Sequence, residues 1–239
     1  MNTPIAHTVD RTLETLESWD RRTLPSESLP SPTAKMKNPA NTPKRDGPKC
    51  SSPWQQKNLG LLCFHPIIQQ MADEAERFAA GWFRGSVTHR RLLVLAGKPG
   101  TGKTMTAKGV HRWAERIAFQ VPVMRWPRIP TVEYALWPEI AANLSTRESA
   151  AAVSGKLDDM TAADLLILDD LGAEHDPWKL VAARLCTLLT QRSNRWTMVT
   201  TNIEPDQWSE QFDNRIADRL LRDSTVVVIP DDCPSFTEI

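Results

Sequence analysis

The chain has 239 residues, with 29 Lys and Arg balanced by 29 Asp and Glu, enough for one α/β domain with extensions. A formal net charge of zero gives no global field for a nucleic acid or membrane, so any basic surface must be local. No apolar run approaches the ~18–20 residues of a membrane span and the N-terminus lacks an apolar leader, so a protein of the cytoplasm with no membrane partner is expected. Four scattered cysteines (Cys50, Cys63, Cys186, Cys233) show no metal-ligand spacing and read as buried or idle thiols.

Residues 1–57 form an expected N-terminal arm, largely disordered. Eight of the eighteen prolines fall in residues 1–53, and PSESLPSPTAKMKNPANTPKRDGPK holds too little apolar surface to offset the entropy of ordering. Within 35–57, Lys35, Lys37, Lys44, Arg45, Lys49 and Lys57 face a single acid, Asp46; this reads as a solvated linker or as a weak nucleic-acid-binding arm. Ahead of it, 9–22 sets Val9, Leu13 and Leu16 at helical spacing, a short stripe that docks on a partner or on this chain's own domain.

From residue 58 to 231 the pattern is that of a folded domain, followed by a short tail, 232–239. HPIIQQMADEAERFAAGWF (65–83) aligns Ile67, Ile68, Met71, Ala75, Phe78 and Trp82 on one helical face. RLLVLAG (91–97) is a buried strand, and a helix follows it through WAERIAF. VPVMRW (121–126), DLLILDD (164–170), WTMVTTN (196–202) and TVVVIP (225–230) are further strands, with helical stretches between them. Strands apolar on both faces and alternating with helices predict a parallel five-stranded sheet in a three-layer sandwich.

GKPGTGKT (97–104) matches G-x-x-x-x-G-K-[ST] between that first strand and its helix, the context the motif requires. Gly97, Gly100 and Gly102 allow a tight loop whose N–H groups face phosphate oxygens, with Lys98, Pro99, Thr101 and Met105 completing the cradle. Lys103 is expected to reach the β- and γ-phosphates, and Thr104 to hold Mg2+. LLILDDLG (165–172) delivers Asp169 to the carboxyl end of a parallel strand, where it joins Thr104 as a metal-holding group. Asp170 is placed to orient an attacking water, with Glu174 and His175 as loop residues nearby. Thr200, Thr201 and Asn202 end another strand and are candidates to touch the γ-phosphate or that water. Arg215 and Arg219 lie one helical turn apart, either paired with Asp218 and Asp223 or delivered to a neighbouring subunit's phosphate.

These four elements in this order resemble AAA+ ATPases of the DnaC/IstB-type group, the replicative helicase loaders and transposition helpers. GKPGTGKT is similar to their Walker A, LLILDDLG to Walker B, VTTN to the sensor-1 strand and RIADRLL to the arginine-finger helix. The resemblance covers about residues 58–230 and implies a P-loop NTPase fold, ATP with Mg2+, and self-association into a ring or spiral. It further implies a replicative DNA helicase as partner and contact with single-stranded DNA. By position the finger maps to Arg219, with Arg215 as neighbour. The catalytic set it implies is Asp170, Asn202, Arg219 and Arg215. Two departures stand out. Asp-Asp replaces the commoner Asp-Glu, which implies slow hydrolysis, and only nine residues follow TVVVIP, so no helical lid is expected. Beside helicase loading stand a transposition helper, a module that senses ATP with little turnover, and a small-molecule kinase; the kinase lacks its Arg-rich lid.

Overall fold

The computed structural model describes residues 51–61, 63–120, 128–144, 150–173, 180–222 and 224–236. The 9–22 stripe and the basic run as far as Lys49 therefore lie outside the described residues, as do Glu174, His175, Asp223 and the strand expected at 121–126. Five parallel strands build the sheet: β1 (Leu92–Gly97), β2 (Val132–Leu136), β3 (Leu165–Leu171), β4 (Trp196–Thr201) and β5 (Ser224–Ile229), in the order β2-β3-β4-β1-β5. Among the described residues the strand next after β1 is VEYAL at 132–136, which the sequence pattern did not mark. Its burial is only partial, as suits an edge strand, and Glu133 breaks its apolar pattern.

Two layers of helices cover the sheet. Strand residues alternate between the faces: Leu93, Leu95, Ile167, Met198 and Val227 enter one core, and Val94, Leu166, Leu168 and Val199 enter the other. The first core is shared with α1 (Pro53–Asn58), α2 (Pro66–Arg84) and α3 (Lys103–Gln120). The second is closed by α4 (Trp137–Leu144), α5 (Ala150–Ala162), α6 (Leu180–Gln191), α7 (Trp208–Gln211) and α8 (Asn214–Leu221). Helix α2 buries Ile68, Met71, Ala75, Phe78 and Trp82, the face its periodicity predicts. It stops at Gly85, whose left-handed φ of 63° lets the Gly85 and Ser86 N–H groups bond the Trp82 and Gly81 carbonyls.

The folded unit begins before residue 58. Helix α1 is capped by Ser52 in a capping box with Gln55. It buries Trp54 edge-on against Trp113, with ring centroids 5.7 Å apart. Helix α1 is therefore packed on the folded unit through the buried Trp54, Gln55 and Asn58. The end of the chain is also tied down, as far as it is described. Cys233 and Ser235 are buried, and Phe236 meets Phe64 edge-on at 4.9 Å. Cys186 and Cys233 are free thiols, whereas Cys63 is disulfide-bonded, which corrects the expectation of idle thiols there. Among the described residues no helix is long and apolar enough to cross a membrane.

This strand order fixes where a ligand can sit. After β1 the chain crosses to the far edge, returns through β2, β3 and β4, and then passes over β1 to β5. The carboxyl ends of β1, β3 and β4 meet at that switch point, where the loops diverge and leave a crevice.

Candidate functional site

The loop after β1 lies in this crevice. Gly97 has φ 109° and Gly102 φ 90°, values that L side chains rarely adopt. A Cβ on Gly97 would stand 2.0 Å from the Ile229 carbonyl oxygen, and one on Gly102 2.6 Å from the Leu61 side chain. Loop and flanks are therefore packed too closely for any residue but glycine. Lys98 donates its N–H to Ile229 and Thr101 its hydroxyl to the Lys98 carbonyl, which fixes the turn. Pro99, Gly100, Thr104 and Met105 are exposed at its rim. Among the described residues, no backbone bond uses the N–H groups of Gly100, Thr101 or Gly102. The first N–H groups of α3 have no intrahelical acceptor either. The result is a concave cluster of donors backed by a helix dipole, which suits a polyphosphate.

Lys103 is buried at the first position of α3, 6% exposed. Its Nζ donates to the carbonyls of Gly97 at 2.6 Å and Lys98 at 2.7 Å. Burial pulls its pKa down to about 8, while the Asp170 and Asp169 carboxylates push the other way. The ammonium is thus held inside the loop by neutral acceptors.

Opposite it, at the end of β3, stands Asp169, 1% exposed. Its Oδ1 accepts from Thr104 Oγ1 at 3.1 Å and from Thr200 Oγ1 at 2.5 Å, and its Oδ2 accepts from Tyr134 at 2.5 Å. Three hydroxyls from α3, β4 and β2 therefore converge on one buried carboxylate. A carboxylate and a hydroxyl at this separation form an oxygen-only donor pair, the chemistry a hard divalent cation such as Mg2+ prefers. The residues present fit that ion.

Asp170 departs from strand geometry. Its φ of 62° is unusual for a non-glycine residue and of the kind that collects at functional sites. The β3–β4 register shifts between Leu168 and Leu171 at the same place. The twist turns the Asp170 N–H to Thr200 Oγ1 at 2.9 Å and its carboxylate to Asn202 Nδ2 at 3.0 Å. The two successive acids consequently face different partners. Asp169 is locked among hydroxyls, and Asp170 lies half-exposed beside Asn202. Thr201 is turned away, buried and bonded to the Leu171 carbonyl.

Sequence reasoning missed two contributors. Tyr134, the one tyrosine of the chain, lies on the strand that the pattern did not reveal. Burial and its bond to Asp169 push its pKa up, so it remains a donor. Phe236 comes from the expected tail: its N–H bonds the Gly100 carbonyl at 2.8 Å and its ring covers Gly102. Phe236→Ala removes a half-buried ring from the loop, and the melting temperature is expected to fall by the equivalent of about 1–2 kcal/mol. A calorimetric scan measures this; an unchanged melt would mean that the tail does not brace the loop.

The arginines lie elsewhere. Arg215 pairs with Asp213, the N-cap of its own helix, at 3.1 Å, and Asp218 pairs with Arg222 at 3.0 Å. The expected partnership of Arg215 with Asp218 is thus replaced by local pairs. Arg219 has no ion pair among the described residues. It lines a cleft with residues at the start of β1 and β4, at the other end of the sheet from the phosphate loop.

The family model of the IstB-like ATP binding protein matches residues 85–235 of this chain. No curated protein sequence matches it. Among solved structures, DnaI is similar at 21% identity and TM-score 0.56, over 73% of this chain and 93% of that one. The DnaC helicase loader is similar at 16% identity and TM-score 0.54, over 75% and 99% of the two chains. AMPPCP-bound DnaA from Aquifex aeolicus is similar at 14% identity and TM-score 0.57, over 73% of this chain. This chain spans half of that DnaA chain. At such identities the likeness is one of fold, an AAA+ fold.

Proposed function

Since the chain belongs to the family of IstB-like ATP-binding proteins, we propose that it is an ATP-driven loader of a replicative DNA helicase onto single-stranded DNA, working as a self-associated ring or spiral. The observation that carries this reading is the convergence of Thr104 and Thr200 on Asp169, with Asn202 on Asp170, directly behind the glycine loop. That arrangement supports nucleotide-dependent switching, because the groups that would sense a γ-phosphate are already wired to one another. The similarity to DnaI and to the DnaC helicase loader supports the choice of partner.

In this reading the loop N–H groups and Lys103 bind the phosphates, with the Lys103 ammonium exchanging its two carbonyl acceptors for phosphate oxygens. Thr104 and Asp169 would hold Mg2+, which would supply neutralisation of the charge that develops on the phosphates. Tyr134 and Thr200 fix the Asp169 rotamer. Asp170, oriented by Asn202, accepts a hydrogen bond from the attacking water.

The two acids then separate experimentally. Asp169→Asn is expected to weaken Mg2+-dependent ATP binding about tenfold. Asp170→Asn is expected to keep binding and lose turnover, by about 100-fold or more. Titration with a fluorescent ATP analogue beside steady-state hydrolysis tests the pair, and equal loss of binding in both variants contradicts the assignment.

Lys103 adds a pH dependence. Its pKa in the free protein is near 8, and a bound triphosphate raises it, because an opposite charge favours the protonated form. Affinity is therefore constant below pH 8 and falls above it, by about tenfold per pH unit until the raised value is reached. Analogue titrations from pH 7 upward check this; a flat profile through pH 9 contradicts it.

A transposition helper is the second reading, favoured by the family match itself. Pull-down of the replicative helicase by the chain with and without its first 50 residues, which leaves α1 and its Ser52 cap in place, decides between them. The loader retains the helicase through the full chain and the helper does not.

A further inference from the structure

At the amino-terminal edge of the sheet, Arg90, Arg91, Arg192, Arg195, Arg219 and Arg222 surround a cleft of about 500 Å³. Among the described residues no Asp or Glu lines it, in a chain whose charges otherwise balance. The arginines come from three segments: the turn before β1, the turn between α6 and β4, and helix α8 with the residue after it. What they bond explains why their charge persists. Arg90 donates to the Ser224 carbonyl, Arg91 to Asn194 at 2.6 Å and Arg195 to Ala162 at 2.8 Å. Arg192, buried beneath them, donates to the carbonyls of Met160, Ala163 and Trp196. Carbonyls orient a guanidinium without neutralising it. Among the described residues only Arg222 of the six meets a carboxylate, Asp218, and that pair is exposed on both sides, where an ion pair contributes little. The nearby Asp164 is occupied by both Arg128 nitrogens.

Such a cleft focuses positive potential. Its remaining polar lining, Thr88, His89, Ser193, Asn194 and Thr197, includes hydroxyl and amide groups of the kind that contact phosphodiesters. Among the described residues no Phe, Tyr or Trp lines it as a stacking platform, His89 being the aromatic ring present. It also lies at the opposite end of the sheet from the glycine loop, so the chain's own nucleotide does not fill it. We infer that this arginine cleft is a second phosphate-binding site, which grips the sugar–phosphate backbone of single-stranded DNA without reading its bases. The inference rests on the proposed function only for the identity of the polymer. A strand held there runs beside Arg219, which gives DNA a direct route to alter turnover in a neighbouring subunit.

The test uses the full chain and fluorescein-labelled oligo(dT), followed by anisotropy across a salt series. The variant Arg91→Gln/Arg195→Gln/Arg222→Gln leaves the glycine loop and Arg219 intact. Each arginine withdrawn from a phosphate lowers the slope of log K against log salt by about 0.7 for a single strand, so the slope of the triple variant falls by about 2. Affinity for a fluorescent ATP analogue stays at the wild-type level, which also reports that the variant is folded. Ser193→Glu, an exposed position on the cleft wall, adds a carboxylate without removing an arginine and is expected to weaken DNA binding at least tenfold. A mixed-sequence oligonucleotide binds wild type as oligo(dT) does. Wild-type DNA affinity and slope in both variants overturn the inference while leaving the loader reading in place. If the variants keep DNA binding and lose only concentration-dependent ATP hydrolysis, the cleft receives a neighbour's triphosphate, and the inference is again overturned. If wild type binds ATP but no DNA, the DNA part of the loader reading falls together with the cleft.

Discussion

Lys103→Ala is expected to lower ATP affinity about 100-fold or more, since two charge-assisted hydrogen bonds at about 1.5–3 kcal/mol each are removed. Part of that energy is already committed in the free protein, where Nζ bonds the Gly97 and Lys98 carbonyls. Binding must exchange those bonds for phosphate oxygens, so the net loss is expected toward the lower end. The fold should survive: Lys103 belongs to neither hydrophobic core, and the loop is held independently by the Lys98 and Phe236 backbone bonds. Titration with a fluorescent ATP analogue, alongside a thermal melt, measures both halves. Binding at the wild-type level would remove the glycine loop from the site.

Arg219→Ala is expected to lower turnover about 1,000-fold, within the range found for arginines delivered to a partner's γ-phosphate, while ATP affinity stays unchanged. The geometry behind this is distance. Arg219 lies at the amino-terminal end of the sheet and the phosphate loop at the carboxyl end, so it can complete only a neighbour's site. Wild-type hydrolysis should therefore rise faster than linearly with protein concentration. Mixing Arg219→Ala with Lys103→Ala should restore activity at interfaces that combine an intact pocket with an intact finger. Arg215→Ala is the control: its guanidinium is already held by Asp213 at the N-cap of α8, and its removal should change turnover little. First-order activity with no rescue on mixing would mean that each subunit works alone.

Much of the sheet was legible because β1, β3 and β4 are buried on both faces and read as unbroken apolar runs. The glycine loop and the two acids were legible because their chemistry demands fixed spacing. Strand β2 was not: it is an edge strand, half-buried, with Glu133 bonded to Lys156, so neither alternation nor a continuous run marks it. Tyr134 was hidden with it. The start of the core was hidden by composition, since the prolines and charges around Trp54 suggest a linker, while the indole's burial against Trp113 depends on α3, far along the chain. The docking of Phe236 on Gly100 and the gathering of arginines from three segments are tertiary events that no local window contains. The left-handed turn at Asp170 was equally silent, for the sequence offers an aspartate where a glycine would have announced it.

The central claim, that ATP binding in this domain drives delivery of a replicative helicase to single-stranded DNA, is tested most directly by a transfer assay. Helicase, the full chain and closed circular single-stranded DNA are mixed, and helicase co-migrating with the DNA is measured with ATP and without nucleotide. The account predicts ATP-dependent transfer by wild type and none by Lys103→Ala. Transfer that is equal in the presence and absence of ATP, or no transfer by wild type while ATP binding is intact, would contradict it.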